Sequence, residues 1–289
     1  MSTNVLTLED GLTRLTLAPR HRRQYRQLDR PGQWATPAAP QRRTGSGGRD
    51  ASSAGLLPAG TVVEPDRQRR FRDTRRLAGP GAQQRQRPLP IHGSAWQQSW
   101  TVIEHTLDQV FLQLDSQTPF SYRAHLRYTL HDGKLSIELT TTHLDSRAMW
   151  HGLGLHPYLP RTPHTRLQAK AAQVWLCDEA GLPNELQDLP TEWDFQHSNR
   201  LPEARLDNGF TGWDGHSVIS QPDLGYELHC HATGSEYFLV FCPPGLNFFC
   251  FEPVSHPVNA HHLPGHPGLK LLRQGESMGL GVSLHHKPL

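Results

Sequence analysis

The sequence predicts an all-β protein built from antiparallel strands. No stretch of about ten residues has the apolar spacing of an amphipathic helix. Many short segments instead alternate apolar and polar side chains and stop at glycine, proline or aspartate. A chain of 289 residues is long enough to bury the core of one large β domain, and we expect residues 1–289 to form a single domain.

The predicted elements are hairpins and short strands. The first hairpin covers residues 4–18 and turns at Asp10-Gly11. A clearer one covers residues 122–139 and turns at Asp132-Gly133, with one buried face and one face open to solvent or a groove. Because turn-rich loops separate the strands, we expect the functional groups to lie on loops and strand ends. Further short strands are predicted at 174–176, 218–219, 226–231 and 237–241.

Residues 20–87 do not follow this pattern. The segment holds sixteen arginines, no lysine and five acidic residues, a net charge of +11 in a chain whose formal charge is +2. Its aromatic residues are Tyr25, Trp34 and Phe71, and apolar periodicity is almost absent. Such a composition buries too little apolar surface to offset chain entropy, so we expect a segment of low order within the domain.

Three interpretations of this segment stay open. A nucleic-acid-binding arm normally mixes lysine and stacking aromatics into its arginines, so the composition argues against a nucleic-acid partner. A solvated linker of 68 residues is long for the interior of a compact domain. The third interpretation is a frameshift near Pro19 that is reversed near Pro88. With GC-rich codons and a one-base shift, residues 20–30 can read DIGGSIGNWTG and the string that starts at Gly55 can contain SNRIG. An intact present frame in the coding DNA would exclude it.

Other features exclude several classes of protein. The four cysteines form no Cys-x-x-Cys pair, so we expect reduced thiols rather than a zinc site or disulfides. The first residues lack a basic start followed by an apolar run, and no segment approaches a membrane span, so we expect a cytoplasmic protein with no membrane partner. There is no glycine-rich phosphate loop, and we expect no cofactor. His256, His261 and His262 lie in a proline-containing loop without fixed ligand geometry, so we expect no metal there.

Four polar groups stand in apolar segments that glycine or proline interrupts: His92, His156, Asp207 and Glu252. A buried ionisable group costs free energy unless it is paired or used, so we expect the four to share one pocket. Each also has a structural alternative. His156 can be a hydrogen-bonded core residue, His92 part of a common His-Gly turn, Glu252 a buried cap and Asp207 the cap of an Asx-turn. Trp213 can stack on a ligand or pack in the core, and packing is the default.

These segments also carry a resemblance. His92 in PIHG, His156 in GLGLHPYLP, Asp207 in LDNGFTGWDG and Glu252 in FEPVSHPVNA resemble, in this order, the motifs of the aldose 1-epimerase (mutarotase) family. The resemblance covers roughly residues 89–285 and the first hairpin. It implies an antiparallel β-supersandwich of the galactose mutarotase type and the interconversion of the α and β anomers of a free aldohexose.

The resemblance implies a role for each residue. His156 would be the general acid that protonates the ring oxygen, and Glu252 the general base that takes the proton of the anomeric hydroxyl. His92 and Asp207 would bind the sugar. Opening a hemiacetal requires one proton to leave and another to arrive at a different oxygen, which a carboxylate and an imidazole do near neutral pH without metal or nucleotide.

The chain departs from the family pattern at one point. Family members usually carry an Asn-Arg pair ahead of the His-Gly motif, with the arginine on the sugar, and here that pair occurs only in the shifted frame, as SNRIG. A catalytically impaired mutarotase-like sugar-binding protein is therefore the alternative function. A nucleic-acid-binding protein that uses residues 20–87 is a third hypothesis, and a steep salt dependence of affinity would distinguish it. No motif specifies the oligomeric state.

Overall fold

The computed structural model of the protein describes residues 6–17, 27–29, 54–59, 92–178 and 181–289. All regular elements within these residues are strands or short 3-10 helices, which confirms the all-β prediction. The 3-10 helices are Ala95–Gln97, Thr191–Trp193, Pro222–Leu224 and Ala260–His262. None of the described helices has the length and apolarity needed to cross a membrane. The strands are β1 Leu6–Glu9, β2 Arg14–Leu17, β3 Gln27–Asp29, β4 Ala54–Ala59, β5 Thr101–His105, β6 Gln109–Ser116, β7 Tyr122–His131, β8 Lys134–His143, β9 Met149–His151, β10 Gly154–Pro160, β11 Arg166–Ala169, β12 Gln173–Cys177, β13 Pro183–Asp188, β14 Asn199–Arg200, β15 Leu206–Thr211, β16 His216–Gln221, β17 Tyr226–Thr233, β18 Tyr237–Cys242, β19 Phe248–Val254, β20 Lys270–Leu272 and β21 Ser277–Pro288.

Two large antiparallel sheets contain nearly all of the described strands. The ten-stranded sheet has the order β1-β2-β3-β4-β10-β19-β18-β15-β12-β13. The nine-stranded sheet has the order β14-β11-β16-β17-β21-β8-β7-β6-β5, and β20 pairs with β9 separately. Apolar residues of both sheets face one another in the core between them: Leu155, Leu159 and Phe251 from the first, and Ile219, Val282 and Leu284 from the second. Each fully buried aliphatic or aromatic side chain stabilises this arrangement by about 1.5–3 kcal/mol.

Both predicted hairpins are present. In β7 and β8 the buried and exposed residues alternate, and the turn residues Asp132 and Gly133 have φ of 48° and 72°. A two-residue turn with both central residues at positive φ matches the twist of the strands, which is why Asp-Gly is favoured there. The Asp10 carboxylate accepts hydrogen bonds from the backbone N–H of Thr13 (2.8 Å) and of Gly133 (2.6 Å). One aspartate thus closes the first hairpin and ties it to the second.

The four candidates differ in their position relative to strand ends: His92 lies on a turn, Asp207 is the second residue of its strand, and His156 and Glu252 lie further inside theirs. His156, Glu252 and Asp207 lie within β10, β19 and β15, all internal strands of the ten-stranded sheet. Pro157 and Pro253 suggested chain breaks, but each remains inside a strand whose flanking residues are paired, as Gly154–Val254 and Tyr158–Cys250 show. Proline removes one backbone donor without ending a strand when its neighbours keep the pairing.

Within the arginine-rich segment the structure describes two strands, β3 and β4. β3 pairs with β2, and β4 pairs with both β3 and β10. These nine residues are strand, because strands on either side supply partners for their backbone groups. The remainder of residues 20–87, and with it the predicted low order there, lies outside the described residues.

Candidate active site

The centre of the candidate site is a histidine and a glutamate on neighbouring strands. The pairs Gly154–Val254 and Tyr158–Cys250 set a register that places His156 of β10 opposite Glu252 of β19. The Nε2 of His156 lies 3.3 Å from a carboxylate oxygen of Glu252, and only 6% and 9% of the two side chains are exposed. Strand alternation puts both on the face of the sheet that points away from the core, since Leu155 and Phe251 point into it.

His92 reaches this pair from a turn. His92 and Gly93 have φ of 63° and 66°, in the left-handed region that glycine adopts freely and histidine adopts occasionally. The His92 ring packs edge-on against His156, with 4.6 Å between ring centroids, and against Trp96 at 5.3 Å. The turn therefore covers His156 with a second imidazole, and three of the four predicted residues are in contact.

Two residues that the sequence analysis did not single out complete the surroundings. Tyr158 stacks on His156 with 4.9 Å between ring centroids and an interplanar angle of 21°. Cys250 is fully buried, and its sulfur lies within 4.8 Å of a ligand atom of His156 and of Glu252. Tyr158 follows His156 by two residues, and Cys250 precedes Glu252 by two. Side chains two residues apart in a strand lie on the same face, so this spacing was the sequence signal that could have identified them.

Asp207 lies at the edge of this arrangement. It pairs with Phe241 of β18, which in turn pairs with Cys250, so Asp207 is displaced along the sheet from Glu252. Its carboxylate is 2.7 Å from Arg205, and 46% of its side chain is exposed. The Asx-turn alternative is wrong, because the carboxylate bonds Arg205 and the residue lies in a strand. His92, His156 and Glu252 thus form one cluster with Asp207 at its margin, and a pocket shared by the four stays a prediction.

Burial controls the charges of the central pair. Burial lowers the pKa of His156 well below its usual value, and the nearby His92 adds to the effect. Burial raises the pKa of Glu252 well above its usual value, and the negative charge of Asp207 adds to that. Both directions favour a neutral carboxyl beside a neutral imidazole, a pair that holds one proton between Oε1 and Nε2.

A second group of buried histidines lies at the ends of β8 and β9 and just beyond the end of β19. The His143 Nε2–H donates to the Arg147 carbonyl (2.7 Å), and its Nδ1 accepts from the Nε2–H of His151 (2.9 Å). His256 bonds the Ser255 hydroxyl (3.0 Å) and packs so closely on Gly152 that a Cβ there would overlap its ring. Burial lowers the pKa of His151 to about 4 and that of His256 to about 3. His151 and His256 are therefore neutral near pH 7, and the hydrogen bonds and packing of all three histidines are structural.

The remaining predictions can be placed as well. Trp213 packs against Phe238 and Phe251, and its indole N–H donates a hydrogen bond to the His216 carbonyl. It is a core residue, which was the favoured of its two predicted roles. The four cysteines are free. Among the described residues, the single group of three or more potential metal ligands is His156, Cys250 and Glu252. His256, His261 and His262 are not such a group.

Comparison with known proteins identifies the family. The model of the aldose 1-epimerase family matches residues 81–285. YphB, an uncharacterised protein of Escherichia coli strain K12, is 34% identical over 204 residues, which are 67% of this chain and 70% of that protein. The chain belongs to the aldose 1-epimerase family. The resemblance inferred from the four motifs is confirmed.

Solved structures show the same fold. A protein from Escherichia coli K12 with a provisional designation as aldose 1-epimerase has a TM-score of 0.83 and 27% identity, and the match covers 99% of both chains. A galactose mutarotase-like protein from Clostridium acetobutylicum has a TM-score of 0.71 at 13% identity and covers 98% of this chain and 95% of its own. The galactose mutarotase-like β-supersandwich prediction is confirmed.

Proposed function

We propose that this protein is an aldose 1-epimerase that interconverts the α and β anomers of a free aldohexose. The buried contact between His156 Nε2 and Glu252 Oε1 carries the proposal. The two atoms are 3.3 Å apart, on the face of the sheet that points away from the core. A general acid and a general base on the same face of a sheet can exchange protons with two oxygens of one sugar ring. His92 and Asp207 would orient the sugar by hydrogen bonds.

The pair needs only the single proton that it holds. Transfer of that proton from Glu252 to His156 along their contact produces a carboxylate and an imidazolium without changing the net charge of the pair. The carboxylate then takes the proton of the anomeric hydroxyl while the imidazolium protonates the ring oxygen. The bond between C1 and the ring oxygen breaks, and C1 becomes an aldehyde. Glu252 again carries the proton and His156 is neutral.

The reverse steps close the ring on the other face. Rotation about the C1–C2 bond turns the opposite face of the aldehyde toward the ring hydroxyl. His156 accepts the proton of that hydroxyl as its oxygen attacks C1, and Glu252 returns a proton to the former aldehyde oxygen. The anomeric centre is inverted, and protons and charge balance without a cofactor.

Polarimetry tests this function. Freshly dissolved α-D-galactose and α-D-glucose should reach anomeric equilibrium faster with the protein than in buffer alone. His156→Ala and Glu252→Gln should each lower kcat by about 10²–10⁴-fold, the usual contribution of a general acid or base. His229→Ala and Glu227→Gln are matched controls, since they alter a His–Glu pair on the nine-stranded sheet. Equal losses in both sets of variants would reject the assignment.

A second candidate function has one observation in its favour. The chain lacks an Asn-Arg pair ahead of Pro90-Ile-His92-Gly93 and so lacks the arginine that the family places on the sugar. A sugar-binding protein with impaired turnover would quench or enhance tryptophan fluorescence on addition of galactose without accelerating mutarotation. Restoring the shifted frame between Pro19 and Pro88 should then restore turnover.

Cytoplasmic location also stays a prediction, which cell fractionation tests.

A further inference from the structure

We propose that His156, Cys250 and Glu252 form a binding site for a thiophilic divalent cation such as Zn²⁺. The bound cation inhibits the enzyme because it coordinates His156 and Glu252, the proposed general acid and general base. The imidazole nitrogen, thiol sulfur and carboxylate oxygen of these residues all lie within 4.8 Å of one another. Histidine, cysteine and carboxylate are the ligand types that zinc takes in proteins. The inhibitory effect rests on the proposed function, whereas cation binding does not.

The spacing of the first two ligands already suits the cation. Two nitrogen or oxygen ligands at about 2.0–2.1 Å from a tetrahedral zinc lie about 3.3–3.4 Å apart. The observed separation of His156 Nε2 and Glu252 Oε1 is 3.3 Å. With Zn–S bonds of about 2.3 Å, the sulfur of Cys250 should lie about 3.5 Å from the other two ligand atoms. It lies at most 4.8 Å from them, so a small approach completes three ligands.

The tautomer of His156 also suits the cation. Its Nε2 faces Glu252, and within the described part of the chain its buried Nδ1 has no hydrogen-bond partner. A neutral imidazole with its proton on Nδ1 presents the Nε2 lone pair to the carboxyl oxygen or, equally, to a metal. No ring flip is needed.

Charge balance favours a divalent ion over a monovalent one. On binding, the ion displaces one proton from the Cys250 thiol and one from the Glu252 carboxyl to solvent. The resulting thiolate and carboxylate, with a neutral imidazole, carry the charge that one divalent cation neutralises, and a buried site requires such compensation. Cys250 and Glu252 are both buried, so the ion is shielded from water on the sheet side. A zinc held by three protein ligands would keep a fourth coordination position, which a water molecule or a sugar hydroxyl can fill.

Zinc titration by calorimetry tests the site in the full-length chain. We expect one Zn²⁺ per chain at this site and a loss of affinity of at least about tenfold in Cys250→Ala, since even outer-shell changes have effects of this size. Cys242→Ala is the matched control: it is an equally buried cysteine, which strand alternation places on the core side with Val240 and Phe238. Both variants keep the exposed histidines of the nine-stranded sheet, so weak surface binding cancels in the comparison.

Two further readouts separate the cation site from the enzymatic function. Cd²⁺ should give an ultraviolet thiolate-to-metal band in the natural chain and in Cys242→Ala but not in Cys250→Ala. Zn²⁺ should slow mutarotation by the natural chain, and a chelator should reverse the effect. Equal zinc affinity in the two cysteine variants would overturn the proposal, whatever polarimetry shows. Should Cys250→Ala fail to fold, Cys250→Ser provides the same comparison with the side-chain volume retained.

Discussion

The two sheets each carry a histidine–glutamate pair at nearly the same distance, yet the surroundings of the pairs are opposite. His156 and Glu252 of the ten-stranded sheet lie 3.3 Å apart with 6% and 9% of their side chains exposed. His229 and Glu227 of the nine-stranded sheet lie 3.1 Å apart with 34% and 30% exposed. Distance alone therefore does not distinguish a candidate catalytic pair from a surface pair.

Neighbouring groups make the difference. His156 is covered by His92 and Tyr158, whereas Glu227 and His229 are two residues apart on a single strand, with the Ser220 hydroxyl 3.1 Å from Glu227. Removing water strengthens every charge interaction at the first pair and leaves one proton to be shared there. The second pair is partly exposed to water, and an ion pair near the surface contributes at most about 1 kcal/mol.

The largest expected effect is the loss of kcat when His156 and Glu252 are substituted, singly and together. His156→Ala or Glu252→Gln alone should lower kcat by about 10²–10⁴-fold, and the double variant should lose little more, because groups that share one proton act as a unit. The corresponding variants His229→Ala and Glu227→Gln, alone or combined, should retain the natural rate. The measurement is the rate of anomeric equilibration over the buffer blank.

The contrary result would be multiplicative losses in the double variant. Independent contributions would mean that the two residues do not exchange a proton, although each still acts on the sugar. Circular dichroism of all variants provides the folding control, since a buried charge left without its partner also destabilises the protein.

An effect of intermediate size should appear in the acid stability of the protein. The folded-state pKa values of His151 and His256, about 4 and about 3, lie below the value of 6.5 of an exposed histidine. Between pH 6.5 and about 4 the unfolded chain therefore binds protons that the folded chain does not. Stability falls with falling pH in this window, by up to about 1.4 kcal/mol per pH unit for each such histidine.

Denaturant unfolding at several pH values measures this slope. His256→Asn should reduce the slope between pH 6.5 and 4, whatever it does to the stability at neutral pH. His197→Asn is the control, because an exposed imidazole is hydrated in the folded and unfolded chains alike. An unchanged slope in His256→Asn would show that His256 is charged in the folded protein.

Much of this architecture could be predicted from local patterns. The hairpin of β7 and β8 follows from strict alternation around Asp132-Gly133, which requires no information beyond about twenty residues. His92, His156 and Glu252 could be predicted as one pocket because a polar group in an apolar segment must find a partner. Both inferences use rules that act on each segment separately.

What the sequence did not reveal depends on register between distant segments. The placement of His156 opposite Glu252, with Tyr158 and Cys250 one pleat further along, is set by the pairing of β10 with β19. The prolines in these strands mimic loops, so the positions of the functional groups within the sheet were missed. Asp207 was predicted inside the pocket, and its exposure follows from its place two strands away from β19.

The smallest expected effect concerns Asp207, which acts on the buried pair from a distance. Its negative charge raises the pKa of Glu252 in addition to the larger effect of burial. Asp207→Asn should therefore move the pH profile of kcat/KM to lower pH, because a less negative environment lets the pair lose its protons more readily. Arg205→Ala should move the profile the opposite way, since it removes the positive charge 2.7 Å from the Asp207 carboxylate.

Salt provides the internal control for this last comparison. Asp207 and Arg205 are exposed, so added salt should diminish both shifts, whereas the contribution of burial to the buried pair should persist. Shifts of the same sign in the two variants, or shifts that do not respond to salt, would contradict an electrostatic role for Asp207. A rise in KM with an unmoved profile would instead assign Asp207 to sugar binding alone. In that case the shifted pKa values that distinguish the buried pair from His229 and Glu227 would be caused by desolvation and by His92.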